Sequence, residues 1–206
     1  MAGLPADPPK GLPIAMFILI LVIVFVPWAR GAGGAGTSVL LATAAVSMGL
    51  DLLVLMTYQA RVGMLYAGLG ALLGAFVGGT ALGAILAGKI VARRTSRRAL
   101  VCSCSAQMVL AGAAGLVLVR LPIASPLLAS LPYAMISVLL GASCGFPFPL
   151  VARGSTAGSA WSTDALGGII GAVLFLNVIS WGIVSTGFAL GALSLAAMVR
   201  TLTVRS

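Results

Sequence analysis

The 206-residue chain contains no histidine and no glutamate, and it has three acidic residues against twelve lysines and arginines. Histidine is the commonest metal ligand and a usual haem ligand, and histidine and glutamate carry most general acid–base chemistry. Their absence excludes the ordinary hydrolytic, acid–base and metal-binding constellations. We therefore expect no enzyme activity, no cofactor and no metal site.

Cysteine is also scarce, since Cys102, Cys104 and Cys144 are the only three and all lie in apolar segments. In a helix, the side chains of Cys102 and Cys104 point to nearly opposite faces, so we predict packed, free thiols instead of a disulfide or a metal ligand pair. The segment Gly31–Gly36 formally contains G-x-G-x-x-G, but it follows an apolar helix where a nucleotide site would need a strand. It predicts a flexible loop.

Charged residues make up 7% of the chain and hydrophobic residues 61%, and the mean hydropathy is +1.19. A soluble domain of this size does not carry such a composition, so the chain is predicted to be an integral membrane protein. The net charge of +9 lies mainly in the gaps between apolar runs, where basic residues orient membrane helices. No nucleic-acid partner is expected.

Cutting the chain at charges, prolines and polar clusters leaves apolar segments of the length that spans a bilayer. The fold predicted is all-α and polytopic, with about seven transmembrane helices. Residues 1–36 would form a tail, an anchor helix and a Gly-rich loop, and residues 37–206 a six-helix membrane bundle. The predicted spans are residues 12–29, 38–58, 64–88, 98–119, 131–151, 162–182 and 185–200.

The first apolar segment has two interpretations. It could be a cleaved signal peptide, because a Gly- and Ala-rich stretch follows it. Its apolar core is long for a signal and only Lys10 precedes it, which favours a retained anchor helix.

The basic loops predict the direction of the chain. Lys89, Arg93, Arg94, Arg97 and Arg98 crowd one gap, which should therefore be cytoplasmic. Alternation from that gap places the N-terminus outside and the C-terminus in the cytoplasm. We expect a multi-pass protein of the bacterial cytoplasmic (inner) membrane.

Small residues recur at helical spacing in three predicted spans. In lipid, such residues allow helices to approach closely, so they are predicted packing positions, although glycine could also mark a hinge. A proline pair at Pro147 and Pro149 predicts a kink or an end to the fifth span. The predicted packing glycines are Gly70, Gly74, Gly78, Gly79, Gly83, Gly141, Gly145, Gly167 and Gly171.

Asp51 lies well inside the second apolar segment, with Ser47 one turn before it. A carboxylate there costs about 2.5 to 3.5 kcal/mol on insertion scales, so it needs a partner, a hydrogen-bonding neighbour or water. It is either a cation or proton site facing the bundle interior or a structural carboxylate bonded to a neighbouring helix. The predicted substrate or ion site comprises Asp51, Ser47, Tyr58 and Asp164.

Asp164 follows Ser162 and Thr163 at the predicted start of the sixth helix, where a carboxylate can cap free amides. If that helix begins earlier, near Ala157, Arg153 becomes a plausible partner for an ion pair that holds the fifth helix against the sixth. Both interpretations remain open.

Several short motifs in one order carry a family resemblance. The chain resembles the membrane domain of bacterial spermidine synthase-like proteins, whose helices look like those of major facilitator transporters. The resemblance covers residues 45–199, about three quarters of the chain, and matches one six-helix half. The motifs are Ser47–Asp51, Tyr58-Gln59, Gly63–Tyr66, Gly78–Gly83, Gly145–Pro147 and Asp164–Ala172.

In that family, the position matching Asp51 is commonly a Glu, and the position matching Asp164 is an Asp or Asn. The family's aminopropyltransferase-like domain and its second six-helix half have no counterpart within these residues, so the resemblance implies no synthase activity here. It implies a transporter-like membrane subunit that pairs with a second copy or another chain. The alternative is a membrane scaffold that anchors an enzyme or electron-transfer protein.

Overall fold

The computed structural model describes residues 34–63, 67–91, 96–120, 126–176 and 182–203, which belong to one compact unit, Gly34–Ser206. The described residues are helical, without a strand. The predicted tail and first span, residues 1–33, lie outside them. The helices are α1 Ala35–Val62, α2 Ala67–Val91, α3 Ser96–Arg120, α4 Pro126–Gly145, α5 Pro147–Ala152, α6 Ala157–Phe175 and α7 Ile183–Thr203.

Turn residues explain several helix ends. Gly63 ends α1 in the left-handed region, with φ of 71°, and its amide donates to the Gln59 carbonyl at 3.2 Å. Gly182 also has a positive φ, 79°, directly before α7. Pro147 lacks the amide that would continue α4, so the helix breaks at Phe146 and resumes as α5. The helix is therefore interrupted at the position that the proline pair predicts.

Among the described residues, five helices are long and apolar enough to cross a membrane: α1, α2, α3, α4 continued through α5, and α7. Large apolar side chains cover much of the outer surface, among them Val77, Val109 and Ile169. A water-soluble fold would bury such side chains, whereas lipid solvates them. The chain is therefore an integral membrane protein with an all-α polytopic fold, as predicted.

Helix α1 is the centre of the bundle and packs against α3, α4, α6 and α7. The most extensive pairs are α1 with α6, α2 with α4, and α3 with α7. The first two pairs run parallel. Helix α3 runs antiparallel to α7, because Gly187 lies beside Ala111 and Gly191 lies beside Met108. Polar side chains of four helices consequently meet along α1.

The two parallel pairs have the same construction. On α2, a Cβ at Gly79 or Gly83 would overlap the carbonyl group of Val138 or Ala142 on α4. On α6, a Cβ at Gly167 or Gly171 would likewise overlap the carbonyl group of Leu41 or Ala45 on α1. Each pair thus places two glycines, four residues apart, against two carbonyls four residues apart.

The packing is reciprocal between two groups of helices, α1–α3 and α4–α7. The second helix of the first group, α2, packs on the first helix of the second group, α4, while α6 packs on α1. The sequences agree, since Gly79-x-x-x-Gly83-Ala84 on α2 has its counterpart in Gly167-x-x-x-Gly171-Ala172 on α6. The two parallel helix pairs therefore share one packing arrangement and one short sequence pattern.

The free end of α7 is tied to the start of α3. Arg97 donates from Nε to the Thr201 carbonyl at 2.9 Å and from a terminal nitrogen to the Leu202 carbonyl at 2.6 Å. A guanidinium group placed here satisfies carbonyls that the helix leaves unpaired and lies at the negative end of the helix dipole.

Candidate functional site

Asp51 lies in the interior of the bundle, near the middle of the central helix α1. Its side chain is 3% exposed, and the Ser137 hydroxyl on α4 donates to one carboxylate oxygen over 3.5 Å. That distance is long for an O–H···O hydrogen bond. Among the residues that the structure describes, no basic side chain forms an ion pair with Asp51. The carboxylate is thus only weakly compensated by its neighbours.

A buried glutamine organises the polar side chains one turn away. Gln107 on α3 is fully buried, and its amide nitrogen donates to the Thr43 carbonyl at 2.8 Å and to the Ser47 hydroxyl at 2.7 Å. Its amide oxygen accepts from Ser194 on α7 over 3.5 Å. These bonds join three helices through one side chain.

Ser47 connects this glutamine to α4, because its hydroxyl donates to the Leu140 carbonyl over 3.5 Å. Side chains from α1, α3, α4 and α7 therefore converge on one level of the bundle. We call these five residues the polar cluster: Ser47, Asp51, Gln107, Ser137 and Ser194. They are all buried inside a protein whose outer surface is apolar.

Tyr58 lies two turns after Asp51 and belongs to a different environment. Its ring is buried and meets the Tyr133 ring edge to face, with centroids 5.3 Å apart. Its hydroxyl end lies against Gly68, where a Cβ would come within 2.6 Å. The structure thus separates Tyr58 from the polar cluster and places it in aromatic packing between α1 and α4.

Asp164 lies in the third turn of α6, because that helix begins at Ala157. The N-cap is Thr156, whose hydroxyl accepts from the Ser159 amide. The predicted capping role of Asp164 is therefore wrong, since Gly158 and Ser159 are incorporated into the helix. Its ion pair with the exposed Arg153 stays a prediction.

Asp164 instead lines an apolar cavity of about 460 Å³ between α2, α4, α5 and α6. Asp51 is not part of its wall. Cys144 on α4 also lines this cavity. The two aspartates thus occupy separate environments, since Asp51 contacts Ser137 in the polar cluster and Asp164 lines the cavity.

The glycines divide by environment. Six of them, Gly79, Gly83, Gly141, Gly145, Gly167 and Gly171, lie against backbone of a neighbouring helix, where a Cβ would overlap it. At Gly70, Gly74 and Gly78 on α2, no atom of the described residues lies within 4 Å of the position a Cβ would take. One helix thus carries two glycine faces, one packed within this chain and one open.

Comparisons with protein families, with curated proteins and with solved structures give no match to this chain. Function has to be argued from the site. Within the part of the chain that the structure describes, no three metal-ligating side chains are grouped, and the cysteines are free. The chemistry offered by the polar cluster is that of one carboxylate among hydroxyl and amide groups, which can accept a proton or bind a small cation.

The site residues missed by sequence reasoning are Gln107, Ser137 and Ser194. Each is a polar residue in an otherwise apolar span, and such residues often hydrogen-bond between membrane helices. That signal was present for Gln107. It could not name the partners, because these depend on which helices become neighbours of α1.

Proposed function

We propose that this chain is a non-catalytic integral membrane subunit of transporter-like architecture in which Asp51 binds a proton or a small cation. The observation that carries the proposal is the weak compensation of a buried carboxylate on the central helix. A structural carboxylate would be held by short bonds, whereas Asp51 has a long contact with Ser137. Ionisable groups placed inside a membrane bundle typically serve ion or proton pathways.

The surrounding groups suit such a role. Hydroxyl groups of Ser47 and Ser137 supply oxygen atoms near the carboxylate level, and Gln107 holds Ser47 in place through a 2.7 Å bond. Because the residues of the polar cluster come from four helices, binding of a proton or cation at Asp51 would affect the contacts among all four. The reciprocal parallel pairs, α2 with α4 and α6 with α1, support the transporter-like architecture, because such folds contain internal repeats.

Thermal unfolding of the purified chain in detergent tests cation binding. A ligand that binds the folded state raises its stability, by about 2.7 kcal/mol at a hundredfold excess over the dissociation constant. We expect NaCl or KCl to raise the midpoint relative to N-methylglucamine chloride at equal ionic strength, and Asp51→Asn to abolish the rise. Thr57→Ala is the matched control, since it removes a buried hydroxyl on α1 that bonds only to Leu53 of its own helix.

Infrared difference spectra between acid and alkaline pH distinguish a proton from a metal cation. If Asp51 binds protons, the band of a protonated carboxyl group is expected in the native chain and absent in Asp51→Asn. The proposal is overturned if no cation raises the midpoint and no such band is lost. Should Asp51→Asn not fold, Ser137→Ala retains the carboxylate and should shift the cation concentration or pH of half-occupation.

A scaffold role is the second candidate, and the open face of α2 favours it. Gly70, Gly74 and Gly78 provide a narrow surface on which another membrane helix could pack closely. This candidate predicts a stable complex with a partner protein, lost in Gly74→Leu. Gly158→Leu, at an open glycine of α6, should leave the complex intact. Equal loss in both variants would argue against it.

A further inference from the structure

The cavity beside Asp164 has the composition of a ligand site and is distinct from the polar cluster. Its walls come from α2, α4, α5 and α6, and its volume of about 460 Å³ falls within the usual range of small-molecule sites. Most of the lining is apolar, including Phe76 and Phe148. Into this apolar surround the fold places one carboxylate.

Asp164 and Trp161 form the polar end of the cavity. They are three residues apart on α6 and therefore share a helix face. The Trp161 ring lies edge to face against Phe148, with centroids 5.5 Å apart, and is 65% exposed, so it stands at the rim. A carboxylate next to an indole face is a combination that attracts organic cations.

The lining also restricts the charge and type of the ligand. No basic side chain is among the described lining residues, so an anion has nothing to bind. A metal ion needs several oxygen ligands, and the side chains here provide only Thr80 besides Asp164. A polyvalent amine would leave further charges against apolar walls, which is costly. One negative charge in an apolar cavity matches one positive charge on an apolar body.

We propose that this cavity binds an amphiphilic organic monocation, whose charged centre lies at Asp164 and Trp161 and whose apolar body fills the space towards Phe76 and Phe148. The exposed position of Trp161 lets such a ligand enter from the outer surface of the bundle. This site does not depend on the role proposed for Asp51, because Asp51 does not line the cavity.

Equilibrium dialysis of the full chain in lipid nanodiscs against radiolabelled tetraphenylphosphonium tests the proposal. We expect saturable binding of one cation per chain, with no displacement by spermidine at equal concentration. Tetraphenylborate, which has the same shape and the opposite charge, should not bind saturably. Asp164→Asn should weaken the affinity about tenfold or more, and Trp161→Ala several-fold.

Two further variants control for partitioning and for folding. Phe188→Ala removes an aromatic ring on α7 that is 58% exposed and outside the cavity, so it should leave the affinity unchanged. Ala81→Trp should fill the cavity and abolish binding even if Asp164→Asn does not fold.

Several results would overturn the proposal. These are non-saturable uptake, unchanged affinity in folded Asp164→Asn, displacement by spermidine as effective as by unlabelled tetraphenylphosphonium, or an equal loss in Phe188→Ala and Trp161→Ala.

Discussion

At the scale of single residues, the molecule buries several polar side chains in its interior and exposes many large apolar ones on its outer surface. Gln107 is the clearest case, since one fully buried amide contacts Thr43, Ser47 and Ser194 on two other helices. In lipid, helices gain little from apolar contact with one another, so such hydrogen bonds help to decide which helices pair. The hydrogen bonds of the polar cluster thus hold helices together, and the cluster is also a candidate ion site.

A double-mutant cycle measures the strength of the hydrogen bond between Gln107 and Ser47. We expect Gln107→Leu and Ser47→Ala to show a coupling of about 0.6 kcal/mol and not more than about 1.7 kcal/mol, the average and the maximum found for hydrogen bonds between membrane helices. The measurement is unfolding of each variant by sodium dodecyl sulfate in mixed micelles. Thr80→Ala is the control partner for Gln107→Leu, because its hydroxyl bonds to Phe76 of the same helix. Coupling as large for Thr80 as for Ser47 would contradict the assignment.

The sequence allowed the burial of Asp51 to be predicted, because a carboxylate in an apolar span has few alternatives to the bundle interior. Its surroundings could not be predicted. Ser137 follows Asp51 by 86 residues, and nothing local indicates that α4 brings this hydroxyl to it. Tyr58 was grouped with the site on short-range motifs, and the structure separates it because its ring packs on Tyr133.

At the scale of helices, glycine faces decide which pairs approach closely. Gly83 faces the Ala142 carbonyl and Gly141 faces Phe76, so α2 and α4 interlock from both sides. The same helix presents Gly74 to open space. Two glycines of the same sequence pattern therefore differ in how much stability the bundle would lose if a side chain replaced them.

This difference predicts opposite effects of the same substitution. Gly83→Ala should destabilise the bundle by about 1 to 3 kcal/mol, because its methyl group overlaps backbone that must move. Gly74→Ala should be neutral or stabilising by up to about 1 kcal/mol, since alanine favours the helix. Thermal unfolding of the two purified variants provides the comparison. Equal effects would mean that the α2–α4 contact is looser than described.

Helix positions were largely predictable from apolar runs, but their ends were not. The sixth predicted span began at Ser162 because a Gly- and Ser-rich stretch precedes it, whereas α6 begins at Ala157. Small polar residues continue a helix when a cap such as Thr156 starts it earlier. Because the helix begins five positions earlier than predicted, Asp164 lies inside it and lines a cavity instead of lying at the helix end.

At the scale of the whole molecule, helix pairing indicates the relative direction of the helices, and the basic loops predict their orientation in the membrane. The parallel pairing of α2 with α4 and of α6 with α1 shows which helices run in the same direction. Loop charge alone predicts which side of the membrane the loops face, since basic loops tend to stay in the cytoplasm.

Reporter fusions test this direction. A fluorescent protein that folds only in the cytoplasm should be bright at the C-terminus, and alkaline phosphatase there should be inactive. Alkaline phosphatase inserted between α3 and α4, after Arg120, should be active. The reason is the concentration of Lys89, Arg97 and Arg98 around the preceding loop. The reversed pattern of activities would refute the proposed orientation.

The central position of α1 has a consequence for biosynthesis. Asp51 leaves the ribosome 86 residues before Ser137, an interval of roughly 4 to 17 s at about 5 to 20 residues per second. During that interval the helix at the heart of the bundle carries an unpaired carboxylate, which lipid alone solvates poorly. We therefore expect α1 to be kept out of lipid until later helices are delivered, so slowing translation of those helices should increase degradation of the nascent chain.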